Sequence, residues 1–464
     1  MNRLFRSGAW LALITPLTLV LACKGENSVP SEPVEPDCSL VPSCLGGNGS
    51  GGTSNGGEGG EGGAAWSGSG PGGSPGAGGS TGGSAPNCED VESLLDFSPL
   101  SVPGYEDAAD FVFLPNGNLL FAERRGLIRE LHLQDGQLSE IRRETFPDTI
   151  LNKDACGLAN LLLDPEFETN GLIYVSYCTS DTITRLSRIT YNDTGLSDLQ
   201  IIVETELEKG TGGWHRFGSM GFEPDGLTLW VFSGEQTQKL QAQDLSSKRG
   251  KLLRIAPERR PGRDGYQIPA GNMADPDVSD LGDEVDPAVF ALGFRSPWRA
   301  TKDHLGRLWI GDVGNAFAEE VNVVEHAGQN FGWATQEGPC NEDCEDFEDP
   351  VAWYGRSLDH PYAYDDPLTE PATKRAVWVG TMPLSDSGPE RYCGLLDDVV
   401  PFGDFFTGWV RGLKLEMNGS VQSDRPLGHL PRVTSWRPGP DGFAYVLTLD
   451  GILWRAELHL PEPE

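Results

Sequence analysis

One local pattern recurs along this 464-residue chain and limits the folds open to it. Each copy is an apolar run, a turn that combines Asn or Asp with Gly, and a second apolar run. The copies are FVFLPNGNLLFAERRGLIREL, LLLDPEFETNGLIYVSYC, MGFEPDGLTLWVFSGE, RATKDHLGRLWIGDVG and RPGPDGFAYVLTLDGILWRAEL. Such turns between strand-like runs are the strongest short-range signal of a β-hairpin. The pattern therefore predicts a chain of repeated antiparallel hairpins with few helices.

The turn glycines of these copies recur at a nearly regular interval. Successive intervals are 54, 55, 80 and 136 residues, between Gly117, Gly171, Gly226, Gly306 and Gly442. A polar insertion at 257–289 explains the third interval, and a degenerate copy near 405–419 divides the fourth. A period of about 50 residues of hairpins is typical of propeller blades, whereas a single large β-sandwich predicts no period. The sequence therefore predicts an all-β fold, a six-bladed β-propeller over residues 90–464.

The residues before the repeats have a different composition. Residues 1–22 combine a basic start with an apolar stretch too short to span a membrane comfortably, which is typical of an export signal. The stretch ends in Val-Leu-Ala before Cys23 and resembles a lipoprotein lipidation site; an ordinary secretory signal with a chance cysteine is the alternative. Residues 23–89 are Gly-rich and are predicted to be a disordered linker that tethers the folded domain. We therefore expect a lipid-anchored protein of the bacterial cell envelope.

The net charge and the cysteine content limit which partners, metal ions and cross-links the protein can have. The formal net charge of −34 argues against nucleic acid as a partner and leaves room for a cation such as calcium. Eight cysteines besides Cys23 predict disulfides in an exported protein. The favoured pairs are Cys38–Cys44, Cys340–Cys344 and Cys156–Cys178. A zinc site is the alternative for GPCNEDC.

His215 is a candidate catalytic residue by position. Propellers place ligands on loops at one end of the central channel, and His215 lies between two strand-like segments in GWHRFG. An imidazole accepts and releases a proton near neutral pH, so it can act as a base. A loop histidine held by packing or by a backbone hydrogen bond is the alternative.

Seven segments, in this order, resemble the glucose/sorbosone dehydrogenase domain over residues 105–458. They are GLANLLLDPEFETNGLIYVSY, HRFGSMGFEPDG, AQDLSSKRGKLLRI, ALGFRSPWRAT, GDVGNAFAEEVNVV, GQNFGWATQEG and FGDFFTGWVRGL. The fifth and sixth segments resemble the hedgehog-interacting-protein-like branch most closely.

The resemblance implies a propeller that binds pyrroloquinoline quinone (PQQ) and calcium at the channel mouth and oxidises an aldose at C1 to the lactone. His215 has the position of the family's proton acceptor. Arg295 and Ser296 have positions that contact PQQ, and the backbone carbonyls of Gly314 and Asn315 match the pair that binds calcium. The expected partners are a small sugar or polysaccharide and a soluble electron acceptor.

Several polar positions of the enzymatic members are changed in this chain. The changed positions are Ala155 or Cys156 for a glutamine, Ser296 for an asparagine, Val313 for a glutamine, and Phe405 and Phe406 near an expected lysine. The cations considered as replacements for that lysine are Lys374, Arg375 and Arg411. These changes keep a second function open, a non-catalytic propeller that binds polysaccharide or protein. A calcium hydrolase ranks lower, because no converging set of acidic residues is evident.

Overall fold

Six antiparallel sheets make up the folded part of the chain. The computed structural model describes residues 94–100, 105–153, 156–180, 182–206, 214–340, 346–356, 374–381 and 391–459. We name the sheets blades 1 to 6 in chain order.

Blades 1 to 3 are formed in order along the chain. Blade 1 consists of β2 (Ala108–Phe113), β3 (Leu119–Glu123), β4 (Leu127–Gln134) and β5 (Gln137–Thr145). Blade 2 consists of β6 (Leu158–Leu163), β7 (Leu172–Cys178), β8 (Ile183–Asn192) and β9 (Gly195–Glu206). Blade 3 consists of β10 (Phe217–Phe222), β11 (Leu229–Ser233), β12 (Lys251–Pro257) and β14 (Val289–Leu292), with the short β13 (Tyr266–Gln267) beside β12.

Blades 4 and 5 are also formed in chain order, whereas blade 6 combines strands from the two ends of the fold. Blade 4 consists of β15 (Pro297–Lys302), β16 (Leu308–Asp312), β17 (Ala318–Val324) and β18 (Ala352–Gly355). Blade 5 consists of β19 (Val377–Val379), β20 (Val400–Asp404), β21 (Trp409–Leu415) and β22 (Val421–His429). Blade 6 consists of β23 (Val433–Pro438), β24 (Ala444–Thr448), β25 (Leu453–Leu458) and, as its outer strand, β1 (Leu95–Pro99).

The blades close into a ring around a central channel. The first strand of each blade contacts the first strand of the next, and β23 returns to β2. The pairing of β1 with β25 completes blade 6, with Leu95 opposite Leu458 and Pro99 opposite Trp454. The predicted six-bladed β-propeller is therefore confirmed.

The second strand of each blade is buried between two neighbouring blades, which explains its continuous apolar sequence. In β11, Leu229 and Val231 pack into a core that includes blade 2. The alternate residues Trp230 and Phe232 pack into a core with blade 4. Burying each such side chain contributes about 1.5–3 kcal/mol, so both faces of the strand favour apolar residues.

The repeated turns join the first and second strands of their blades. The five turn glycines have φ between 64° and 85°, a left-handed conformation that favours glycine. The insertion lies between β12 and β14, as predicted. In blade 5, the connection 380–399 replaces the short turn. The segment 405–419 belongs to that blade but forms the later β20–β21 and β21–β22 connections.

The structure tests part of the cysteine predictions. Cys156 and Cys178 form a disulfide with a Cα–Cα distance of 5.4 Å, as predicted. Cys340 and Cys393 each take part in a disulfide as well. The export signal, Cys23, the linker, Cys38, Cys44 and Cys344 lie outside the described residues. Within the described residues, the one α-helix, α1 (Phe167–Asn170), has four residues, far fewer than a membrane span needs. Among the described residues, 3₁₀ turns cover Lys239–Ala242 and Gly282–Glu284.

Candidate functional site

The predicted site residues of blades 3 and 4 lie at the same end of the channel. First and second strands are antiparallel, so the start of one and the end of the other lie together. His215 and Arg295 precede the first strands β10 and β15, whereas Glu235 follows β11 and Asp312 ends β16. We call this the upper end of the channel.

In blade 4, Asp312 fixes the loop that carries Arg295. Its carboxylate accepts hydrogen bonds from the backbone N–H groups of Arg295, at 2.8 Å, and Ser296, at 2.6 Å. Two other blades link the same positions, blade 5 by the same chemistry and blade 2 by a covalent bond. Asp404 of blade 5 accepts a hydrogen bond from the N–H of Ala376 at 2.9 Å, and blade 2 uses its disulfide. Each link restrains the loop before a first strand.

In blade 3, the backbone after β11 holds both His215 and Arg295. The N–H of Glu235 donates to the carbonyl of Arg295 at 2.8 Å, and the N–H of Gln236 donates to that of His215 at 3.2 Å. A Cβ at Gly234 would lie 2.4 Å from the His215 carbonyl oxygen, so this approach requires glycine. The segment therefore sets the position of the imidazole relative to the guanidinium.

The imidazole of His215 is held by a buried carboxylate. Its Nδ1 lies 2.5 Å from Oε1 of Glu235, and we assign the proton to Nδ1, so that Nε2 keeps its lone pair. Burial lowers the pKa of His215 below its ordinary value, and the charges of Arg295 and Arg216 lower it further, while Glu235 opposes them. The ring is therefore neutral near neutral pH and can accept a proton.

Arg295 is half-buried, and its guanidinium is only partly hydrogen-bonded. Nη1 donates to the carbonyl of Val313 at 2.6 Å, and Nη2 lies 3.5 Å from Oδ1 of Asn315. The guanidinium carbon lies 5.4 Å from the ring centroid of Trp333, while Nε has no partner among the described residues. The hydroxyl of Ser296 likewise makes no hydrogen bond within the part of the chain that the structure describes. Both side chains keep donors available for a ligand.

The loop of Gly314 and Asn315 is shaped by a carboxylate. Oε1 of Glu337 accepts the backbone N–H groups of residues 315–318 at 2.6 to 3.2 Å. A Cβ at Gly314 would lie 1.6 Å from the carbonyl oxygen of Ala318. Among the described residues, no donor reaches the carbonyls of Gly314 and Asn315, and no three His, Cys, Asp or Glu side chains cluster as metal ligands.

Two further arginines lie at the upper end of the channel. Arg356 follows β18 and pairs with Glu319; burial, together with the charges of Arg295 and Arg375, lowers the pKa of Arg356 to about 10. Arg375 precedes β19, is 3% exposed, and its Nε has no partner among the described residues. The upper end therefore holds three arginines together with several carboxylates, among them Glu235, Glu319 and Glu337.

The structure shows what most of the changed positions do and which of the replacement cations reach the site. Phe405 packs edge to face on Trp298, and Val313 uses its carbonyl for Arg295, so neither side chain supplies a polar contact. Of the replacement cations, Arg375 is at the site, Lys374 is exposed beside it, and Arg411 pairs with Asp424. Ala155 lies outside the described residues.

The buried acids of blade 4 predict a pH dependence of stability. Burial raises the pKa of Asp312 to about 7 and that of its cross-strand neighbour Glu320 to about 8. Because the folded state binds these protons more tightly than the unfolded state, their stabilisation is complete below about pH 4 and is lost as the pH rises towards 8. We expect Glu320→Gln to flatten the fall in unfolding free energy between pH 4 and 8, measured by urea unfolding. The exposed control Glu166→Gln should keep the wild-type slope; equal slopes in all three proteins would contradict the prediction.

Comparisons with known proteins agree with this architecture. The Glucose / Sorbosone dehydrogenase family model matches residues 105–455. The aldose sugar dehydrogenase YliI of Escherichia coli K12 is 25% identical over 344 residues, covering 72% of this chain and 85% of that protein. HIPL1 protein of Arabidopsis thaliana is 30% identical over 139 residues, covering 27% of this chain and 19% of that protein. The PQQ-bound aldose sugar dehydrogenase structure from Streptomyces coelicolor matches with a TM-score of 0.59 and 17% identity, over 80% of this chain and 100% of that one.

The family model covers well over half of the chain, including all the segments that place His215, Arg295 and Gly314 at the upper end. The structural match independently supports the six-bladed fold. The chain therefore belongs to the glucose/sorbosone dehydrogenase family, as its motifs predict.

Proposed function

We propose that the protein is a PQQ- and calcium-dependent dehydrogenase that oxidises an aldose at C1 to the lactone. The observation that carries this proposal is the buried, neutral His215, whose Nδ1 is held by Glu235 beside the guanidinium of Arg295. A relative named as an aldose sugar dehydrogenase matches most of the chain and supports the same chemistry.

The upper end fits a planar, polyanionic cofactor. PQQ carries carboxylates, and the half-buried Arg295 and the buried Arg375 each have an Nε–H without an acceptor among the described residues. A guanidinium donates to carboxylates in a charge-assisted, often bidentate way. Arg295, Arg375 and Arg356 would hold the cofactor, together with the hydroxyl of Ser296. They would supply the positive charge of the lysine that the sequence lacks near Phe405.

The loop of residues 314–315 fits calcium. Calcium prefers hard oxygen ligands, including backbone carbonyls, and the carbonyls of Gly314 and Asn315 accept no hydrogen bond from other described residues. Glu337 keeps this loop in place through its N–H groups without occupying the carbonyls.

In the proposed reaction, His215 removes a proton from the substrate. The C1 hydroxyl transfers its proton to Nε2, and C1 becomes the lactone carbonyl as it loses a hydride. PQQ, when bound, supplies the two-electron acceptor for that hydride. Glu235 keeps the proton on Nδ1, so that Nε2 stays basic, and stabilises the imidazolium once it forms. The side chain of Glu235 is 2% exposed and that of His215 is 12% exposed, so little water reaches the bond between them.

The proposal is tested by titrating the purified protein with PQQ and calcium while recording the quinone absorbance. Dye reduction is then measured with a panel of aldoses. We expect saturable PQQ binding and turnover that EDTA removes and added calcium restores. An unchanged absorbance and no dye reduction would instead support a non-catalytic propeller, which the exposed aromatic residues Trp214 and Phe406 at the upper end would suit for saccharide binding.

Replacing Arg375 tests the charge assignment. Arg375→Met is expected to raise the Kd of PQQ by roughly 10- to 100-fold, because a hydrogen bond to a charged group contributes about 1.5–3 kcal/mol. The matched control is Lys374→Met, the exposed cation next to it in the chain, which should bind PQQ as the wild type does. Equal affinities for the two variants would remove Arg375 from the cofactor site.

We also propose that the domain is tethered to the bacterial envelope through lipidated Cys23. The lipidation motif and the Gly-rich linker of residues 23–89 support this placement. Expressed in a bacterium with labelled fatty acid, the wild type should carry label in the membrane fraction. Cys23→Ser should be unlabelled, and a labelled Cys23→Ser protein would contradict the proposal.

A further inference from the structure

The channel contains a cavity below the candidate active site. Its volume is about 230 Å³, and it is walled mainly by the first strands of five blades. The first strands run downward from the upper end, and the lining residues come from their third position onward, whereas His215 and Arg295 precede these strands. The cavity therefore occupies a different level of the channel.

A polar layer forms the top of this cavity. In blades 1, 2, 3, 4 and 6, the first strand has a register shift beside its third residue. Such β-bulges re-aim side chains. The third residues of these strands are Asp110, Asn160, Ser219, Arg299 and Ser435. In each of these strands, the alternation of side chains between the two faces is therefore interrupted beside the polar third residue.

Hydrogen bonds across the channel join this layer. Arg299 of blade 4 donates to the side chain of Asn160 in blade 2 and, at 2.8 Å, to the carbonyl of Ala109 in blade 1. Asp110 of blade 1 accepts hydrogen bonds from the hydroxyl of Ser435 at 2.7 Å and from Nη2 of Arg437 at 2.9 Å. Four blades are therefore linked by one network.

The network contains one more positive charge than negative charge. Two guanidiniums, those of Arg299 and Arg437, face the single carboxylate of Asp110. Burial lowers the pKa of Arg299 to about 10, which leaves it charged at neutral pH. Lys302, which also lines the cavity, is neutralised by Glu223 and does not change this balance.

The unpaired polar atoms around the cavity are all donors. Within the described chain, Nε of Arg299 and the indole N–H groups of Trp230 and Trp436 have no acceptor. Nη1 of Arg437, a half-buried residue, donates no hydrogen bond to another described residue either, but it is not one of the buried atoms. Buried donors without acceptors are costly, and a ligand rich in acceptors relieves that cost. Excess positive charge together with unpaired donors selects for an anion.

We propose that this cavity binds a small oxyanion such as phosphate, sulfate or a carboxylate. Asp110 balances only one of the two guanidiniums of Arg299 and Arg437, and the anion balances the other. It thereby stabilises the channel below the upper end. This site is independent of the proposed dehydrogenase reaction, because its lining residues do not include those placed at His215, Arg295 or Arg375.

The test is calorimetric titration of the full chain at pH 7 with sodium phosphate, sulfate and acetate, with sodium chloride at matched ionic strength as the reference. Saturable binding of at least one oxyanion, together with an anion-dependent rise in Tm, is expected. The order of the Kd values for phosphate, sulfate and acetate identifies which class of oxyanion the cavity prefers. Absence of saturable binding to the wild type, or equal effects of chloride, would overturn the proposal because water would then be the natural occupant.

Variants locate the site. Arg437→Gln is expected to weaken oxyanion binding at least 10-fold, whereas Arg260→Gln, an exposed arginine that pairs with Glu258, should bind as the wild type does. Arg375→Met should also retain binding, which separates this cavity from the arginines of the upper end. If Arg437→Gln does not fold, Lys302→Gln serves instead: it removes a cation from the cavity wall while Glu223 keeps Arg254 as a partner, and it should weaken binding. Loss of binding in Arg375→Met, with retention in Arg437→Gln or Lys302→Gln, would overturn the assignment.

Discussion

His215→Asn is expected to lower kcat for aldose oxidation by ~10²–10⁴-fold while PQQ binding is retained. Asparagine keeps a polar side chain of similar reach but cannot accept a proton at neutral pH. The cofactor contacts come from other loops, so absorbance titration with PQQ should give a Kd close to that of the wild type. Steady-state dye reduction gives kcat separately from binding.

The matched control for this variant is His304→Asn. His304 is half exposed in the β15–β16 turn, at the opposite end of β15 from Arg295, and its Nδ1 lies 3.3 Å from Asp398. It should keep wild-type kcat. Near-normal turnover by His215→Asn would show that another group takes the proton, even if the enzyme class is correct.

Glu235→Gln should lower kcat by about 10²–10⁴-fold, as expected when a carboxylate that orients a catalytic histidine is neutralised. The amide can donate to Nδ1 and so favour the tautomer in which Nε2 carries the proton. Because Glu235 raises the pKa of His215 against burial, its loss also lowers that pKa further. The acid limb of the kcat/KM profile should therefore move to lower pH.

The shift of the acid limb shows whether Glu235 positions and tunes His215 or only supports the local structure. Glu235→Asp, which keeps the charge on a shorter side chain, should recover part of the activity and return the acid limb towards the wild type. A loss of activity in Glu235→Gln with an unshifted acid limb would assign the residue a structural role only.

The sequence predicts the propeller well because the fold is repetitive. Five of the six blades use the same short turn, and the glycine that it requires is visible in each copy. Blade 5 could not be aligned in this way, because the connection 380–399 replaces its turn. The segment 405–419 indicated the correct blade through its apolar runs but the wrong hairpin within it.

The candidate site was predicted only where it follows family motifs. His215, Arg295 and Gly314 lie in such motifs, whereas Glu235 and Arg356 come to the site through pairing of distant strands. The pair Gly234 and Glu235, a glycine followed by an acid directly after the second strand of a blade, is a local sequence pattern that could have indicated Glu235 as a site residue. No local pattern indicates that Arg375 is buried, because burial depends on the packing of neighbouring blades.

Closure of the ring has a consequence for the order in which the protein folds. Residues 95–99 complete a sheet whose other three strands span residues 433–458, so nearly the whole chain separates the partners. Contacts of such high sequence separation form late, because the entropy of closing the intervening loop must be overcome first. During synthesis, the earlier blades can pair locally, but β1 has no partner strand until β25 has emerged. The last strand of the fold thus decides when the ring closes and the channel acquires its final diameter, whereas the spacing between His215 and Arg295 is already set by the contacts between blades 3 and 4.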